Sequence, residues 1–245
     1  MRRILVNHSD ICNARNVRTF VASKYTRIAP KNDKQQEYID VLTKKKPYIV
    51  VATGSAGTGK TMLATYVGIN KLLKEEVKKI VITRPAVSVD EAHGFLPGNL
   101  EKKMEPWMRP VFDILSMYFP ANKIEAMIKD RIIEVCPLAY MRGRTFDSAW
   151  IICDEAQNTT INQMLMVLTR IGKDSKIVIT GDPNQYDRGY NNNGLSDLLQ
   201  RIEYKDINNM SSEVDDTDIE VVEFTEEHVE RHPVIPVVLN LYKSL

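Results

Sequence analysis

Apolar residues recur along this chain in two spacings, and their succession predicts an α/β domain. Short unbroken apolar runs read as buried strands: Tyr48 to Ala52, Lys79 to Thr83, Ile132 to Val135, Trp150 to Cys153 and Lys176 to Thr180. Helical spacing lies between them. Asn32 to Thr43 puts Tyr38, Ile39 and Leu42 on one face, and a run from Met62 to Leu73 follows the first strand. Glu101 to Tyr118 is helical in tendency, with breaks expected at Pro106 and Pro110. Lys123 to Asp130 predicts another helix. A further one is capped by Thr159 or Thr160, with Met164, Leu165, Val167 and Leu168 as its buried face and Gly172 as its end. Ile219 to Phe224 alternates around acids, as an edge strand would, and Val237 to Leu245 predicts a last apolar helix. In the first 28 residues, Ile4 to Val6 and Thr19 to Val21 suggest short strands in an otherwise patternless basic stretch. There is no internal repeat and no low-complexity tract.

Composition narrows the class. The chain has 245 residues, 43% hydrophobic and 27% charged, as a globular α/β domain would. Its net charge of +1 hides an asymmetry. Met1 to Pro47 holds 11 Lys or Arg against 4 Asp or Glu, and Glu203 to His232 holds 11 Asp or Glu against 2 Lys or Arg. That pattern fits a nucleic-acid-facing arm and an acidic tail, two solvated surfaces, or complementary ends of neighbouring subunits. The 3 cysteines, Cys12, Cys136 and Cys153, form no C-x-x-C pair, which argues against a zinc site or disulfide framework. The apolar run at Ile4 to Val6 stops too soon for a secretory leader, and no run approaches membrane-spanning length. A soluble, cytoplasmic protein without a membrane partner is expected. His228 and His232 have metal-ligand spacing, but Pro233 and the want of a third ligand speak against a histidine metal site. The 10 methionines suit core filling.

The chemistry centres on Gly54-Ser55-Ala56-Gly57-Thr58-Gly59-Lys60-Thr61, which fits G-x-x-x-x-G-K-[ST] between a predicted strand and a predicted helix. Such a loop turns consecutive N–H groups toward phosphate oxygens, and the helix start adds its positive dipole end. Lys60 is expected on the β- and γ-phosphates and Thr61 on Mg²⁺. Two acids, Asp154 and Glu155, close the run from Trp150 to Cys153. Acids at the tip of a buried strand call for a cation. Asp154 is expected to hold Mg²⁺ through a water, and Glu155 to orient and polarise the attacking water. Gln185, just beyond the strand that ends at Thr180, is placed to touch a γ-phosphate or that water. Gln35, on the helix ahead of the loop, can donate to and accept from an adenine edge.

Taken together, these stretches resemble the PhoH-like family, ATPases whose fold is similar to the first motor domain of superfamily 1 helicases. The resemblance runs through Gly54 to Thr61, Thr83-Arg84-Pro85-Ala86-Val87, Gly94-Phe95-Leu96-Pro97-Gly98, Arg109-Pro110, Pro137 to Thr145, Asp154 to Thr160, Leu168-Thr169-Arg170, Gly181-Asp182 and Arg231-His232-Pro233. The most specific parts are Tyr140-Met141-Arg142-Gly143-Arg144-Thr145 and Asp154-Glu155-Ala156-Gln157-Asn158-Thr159-Thr160. Departures fall at Gly189 to Leu195, at Asn99, where an acid is usual, and at Glu203 to Asp218, which looks inserted. The implied organisation is a basic segment, residues 1–28, followed by a PhoH-like P-loop ATPase domain, residues 29–245.

The resemblance implies a parallel sheet with helices on both faces, with the acidic strand separated from the phosphate-loop strand by the strand before Gly181. It further implies ATP and Mg²⁺ as cofactors, and hydrolysis coupled to RNA or single-stranded DNA binding or unwinding. The alternative is an ATP-gated assembly protein acting on a protein partner. A single motor domain cannot close a two-domain cleft, so the resemblance implies a homo-oligomer, hexameric in the family. Arg84, Arg142, Arg144, Arg170 and Arg231 are the candidates for nucleic-acid phosphates or for a finger supplied in trans. Arg231 is a good candidate for the finger, since it lies beside a proline and outside the phosphate-loop core, and Arg142 and Arg144 are as plausible by chemistry.

Overall fold

The structure, a computed structural model, describes residues 28–85, 109–185, 193–207, 218–230 and 234. Six parallel strands form one sheet. They are β1 (Ile49–Gly54), β2 (Lys79–Thr83), β3 (Ile133–Val135), β4 (Ala149–Cys153), β5 (Lys176–Gly181) and β6 (Ile219–Phe224), in the order β3-β2-β4-β5-β1-β6. The strand carrying Asp154 is thus separated from the phosphate-loop strand by β5, as the resemblance implies. The helices are α1 (Asp33–Thr43), α2 (Lys60–Leu73), α3 (109–116), α4 (Ala121–Lys129), α5 (Ile161–Leu168) and α6 (Gly194–Ile207).

Every second strand residue faces the same way, which splits the core into two layers. Val50, Ala52, Ile80, Ile82, Trp150 and Ile152 pack with α1, α2, α3 and α4 on one face. Val51, Val81, Ile151, Cys153, Ile177 and Ile179 pack with α5, α6 and the 3₁₀ turn Leu138–Met141 on the other. With both faces covered, these strands read as continuous apolar runs. β6 is the exception. It is an edge strand with the burial pattern exposed–intermediate–exposed–buried–exposed–buried, which explains its alternating sequence.

Gly68, in the middle of α2, answers to Trp150. A Cβ at that position would stand 2.5 Å from Trp150 Cδ1, while the indole N–H donates to the carbonyl of Ala64 at 3.0 Å. A helix-interior glycine costs about 1 kcal/mol against alanine. Here the close approach of helix and strand requires it.

Several expectations need correcting. The described part of α3 begins at 109, with Pro110 in its first turn, and Pro106 lies outside the described residues. The α5 helix ends at Leu168 with Thr169 as its C-cap, not at Gly172, which packs against the carbonyl of Phe146. Leu165 is 61% exposed, so it does not belong to the buried face of α5. The expected strands near Ile4 and Thr19, the Gly94 to Leu100 stretch and the helix from Val237 lie outside the described residues. No helix among the described residues is long and apolar enough to cross a membrane.

Candidate nucleotide site

Parallel strands bring the C-terminal ends of β1, β4 and β5 to one pole of the sheet, and the site is built there. β1 runs straight into the phosphate loop, and α2 starts at Lys60. Gly59 caps that helix in the left-handed region, at φ 89°, and Gly54 has φ 123°. A Cβ on Gly54 would also collide with the carbonyl oxygen of Phe224, so β6 closes against the first turn of the loop. The loop's other polar groups brace it. Thr58 Oγ1 donates to the Ser55 carbonyl at 3.0 Å. Lys60 Nζ donates to the carbonyls of Gly54 at 2.6 Å and Ser55 at 2.8 Å. The ammonium is therefore held over the loop by the loop's own backbone.

Thr61 and Asp154 come from elements 93 residues apart, and their side chains meet: Thr61 Oγ1 donates to Asp154 Oδ1 at 2.7 Å. Thr180, on the intervening strand β5, donates to the same oxygen, also at 2.7 Å. Sequence reasoning missed Thr180. Its signal was available only as a hydroxyl near the end of an otherwise apolar strand. Two hydroxyls and a carboxylate are hard oxygen donors, and the chemistry of this set fits Mg²⁺.

Glu155 follows Asp154 in left-handed backbone, φ 52°, which turns its side chain away from the direction of β4. Gln157 Nε2 donates to Glu155 Oε2 at 2.6 Å, and Gln157 Oε1 accepts from the backbone N–H of Asp182 at 3.1 Å. One buried amide thus ties the acid to the end of β5. Gly181 is needed beside it, since a Cβ there would stand 2.6 Å from Gln157 Oε1. On the other side, Arg84 at the tip of β2 places its guanidinium 3.7 Å from Glu155 Oε1. Gln185 is exposed just beyond β5, with its backbone N–H on the Asp182 carbonyl.

Gln35 is brought to the loop. It is 1% exposed, its Nε2 donates to the Thr58 carbonyl at 3.1 Å, and its Oε1 accepts from the Lys31 N–H at 2.9 Å. Each end of the amide makes one bond, and through them Gln35 clamps α1 to the phosphate loop. The arginines also separate. Arg144 forms a two-pronged pair with Glu134 and lies over the Phe146 ring at 4.5 Å. That pairing holds the Glu134 carboxyl below its usual range. Arg170 donates to the carbonyls of Met166 and Arg144. Each guanidinium is engaged within the chain. Arg142 is exposed, and Arg231 lies outside the described residues.

A cleft of about 1080 Å³ lies at the opposite pole, beneath the N-terminal ends of the strands. Two of its lysines are engaged there, Lys176 with the carbonyls of Leu42 and Lys44 and Lys71 with Thr43 and Glu76. They satisfy the last carbonyls of α1.

A parallel α/β sheet with this loop, and with an acidic strand one strand removed from it, defines a P-loop NTPase. The chain belongs to the PhoH-like protein family, whose model matches residues 27–243. It is 43% identical over 211 residues to a PhoH-like protein of Bacillus subtilis, 41% over 216 residues to one of Mycobacterium tuberculosis, and 41% over 180 residues to Protein PhoH of Escherichia coli. These alignments cover 85%, 88% and 72% of this chain, and 61%, 58% and 50% of those relatives. The chain therefore spans half to about three fifths of their length. The Pif1 helicase from Candida albicans overlays with a TM-score of 0.40 at 15% identity, covering 87% of this chain and 44% of that one, a likeness too distant to add to the family assignment.

Proposed function

We propose that this chain binds and hydrolyses ATP with Mg²⁺ and couples the hydrolysis to RNA or single-stranded DNA. The observation that carries the first part is the bond between Thr61 and Asp154, which joins the end of the phosphate loop to the acidic strand. The loop N–H groups and Lys60 bind the phosphates. Thr61 and Asp154, with Thr180 behind them, would hold the metal, which would neutralise charge on the β- and γ-oxygens. Glu155, steadied by Gln157, accepts a proton from the attacking water.

Support for a nucleic-acid strand as the coupled ligand is narrower. Arg84 is half-buried beside Glu155, so an anion drawn to Arg84 is felt at the acid that activates water. The basic first segment points the same way.

The test compares two variants. Lys60→Ala should lose both nucleotide affinity and turnover, since the phosphates lose their cation. Glu155→Gln should keep ATP bound and lose turnover by about a hundredfold or more. Equal loss of affinity in both would contradict the separate roles of the two residues. ATPase rates unchanged by added single strands would remove the coupled ligand and favour a protein partner.

A further inference from the structure

The cleft of about 1080 Å³ beneath the N-terminal ends of the strands is lined by six lysines and four acids. Two of the acids are spent: Glu76 accepts from Lys71 at 2.6 Å, and Asp218 pairs with Lys46 at 3.0 Å. The other two, Glu75 and Asp174, lie on the exposed rim. Lys44, Lys45, Lys78 and Lys173 are exposed on the same rim, and their ammonium groups have no partner among the described residues. The cleft therefore keeps a surplus of positive charge.

Two lysines converge inside it. Lys176 Nζ, from β5, donates to the carbonyls of Leu42 at 3.3 Å and Lys44 at 2.8 Å, and Lys71 Nζ, from α2, donates to the carbonyl of Thr43 at 2.8 Å. The three acceptors are consecutive, so the two ammonium groups are held side by side. An ammonium has three N–H donors, and these bonds, with the one to Glu76, use two on each lysine. One donor on each is left over. Burial and the Lys71 charge both push the Lys176 ammonium down, Lys44 adds to them, and Glu220 acts the other way. An anion set between two like charges relieves them. The negative end of α1 does not repel it, because the same lysines already cover the last carbonyls of that helix.

The walls between these charges are apolar. Val77 and Trp150 are buried in them, Ile49 and Ile171 are half-buried, and Tyr48 is 38% exposed. Small-molecule sites have this make-up, a mostly apolar hollow of roughly 300–1,000 Å³ with a few placed polar groups. We propose that the cleft binds a small phosphate monoester with an apolar body, its phosphate between Lys71 and Lys176 and its body on Ile49, Val77 and Ile171. A phosphate brings about two negative charges near pH 7 and three acceptor oxygens, which suits two converging donors and a ring of unpaired lysines. A carboxylate brings one charge and two oxygens. The site is separate from the phosphate loop and does not rest on the nucleotide reading above.

Equilibrium dialysis with 4-nitrophenyl phosphate, read by absorbance, tests the site. The ester should bind saturably, one molecule to each chain. Lys71→Met should weaken it by about tenfold or more, as expected for a lost bond to a charged group. Lys71 also braces α1, so a second variant reverses charge only on the exposed rim: Lys78→Glu with Lys173→Glu should weaken binding by about threefold or more. Lys60→Ala should bind the ester as the unaltered protein does, which keeps this site apart from the phosphate loop. Inorganic phosphate, 4-nitrobenzyl alcohol and 4-nitrobenzoate should each bind at least about tenfold more weakly, since they lack the body, the charge and the second charge in turn. No saturable binding, binding that Lys60→Ala abolishes, or binding that neither cleft variant changes would overturn the proposal. So would inorganic phosphate binding as tightly as the ester, which would leave the apolar walls without a role. Displacement of the ester by a lower concentration of a single-stranded oligonucleotide would also overturn it and assign the lysines to a polyanion.

Discussion

Thr180 donates its hydroxyl to the same oxygen of Asp154 that accepts the hydroxyl of Thr61, so two neighbouring elements fix one carboxylate. When Thr61 turns its oxygen to a metal, Thr180 is the donor that keeps Asp154 in place. Thr180→Val keeps the shape and removes that donor. A hydrogen bond to a charged group contributes about 1.5–3 kcal/mol, so Mg²⁺-dependent ADP binding should weaken on the order of tenfold or more. Thr180→Ser should retain most of it. Magnesium titrations of the three proteins decide the matter, and an unchanged midpoint in the valine variant would remove Thr180 from the site.

Gln35→Ala removes a buried amide that links Lys31 to Thr58. The cost falls on the phosphate loop, which every nucleoside triphosphate uses. ATP and GTP affinities should therefore fall by similar factors, each about tenfold for the loss of one to two net hydrogen bonds. Competition binding with both nucleotides measures this. A loss confined to ATP would instead make Gln35 a reader of the base.

Lys176 couples stability to pH. Burial pushes its ammonium down from 10.5 to about 8, and Lys71 acts in the same direction. Its folded value lies below its unfolded one. Below about pH 8 both states hold the proton, and the full cost of burying the charge is present. Between there and 10.5 the unfolded chain holds more proton than the folded one, so this site's contribution to stability rises with pH. Lys176→Met removes the effect. Urea unfolding of both proteins across that window should show the difference moving in favour of the unaltered chain as pH rises, and a pH-independent difference would contradict it.

The local elements were legible because their causes are local. Runs such as Trp150 to Cys153 are apolar throughout since both faces of β4 are covered, and Asn32 and Thr160 cap helices with their own side chains. The Gly-rich loop with Lys60 and Thr61 announces its chemistry by spacing, and so do the paired acids Asp154 and Glu155. The errors came where a residue's role is set by what lies across space. Leu165 has helical spacing suited to a core but is exposed.

The sequence by itself determined the class of fold, the phosphate loop and the acids, since each follows from residue type and short-range order. Tertiary structure decided which hydroxyl supports Asp154, where the Gln35 amide is spent and which arginines remain free. Those outcomes depend on strand order, which sets β5 between β1 and β4, and on partners such as Glu134 for Arg144 and Thr58 for Gln35. A side chain's chemistry is written in its residue type, but its availability is settled by whichever group reaches it first when the chain closes.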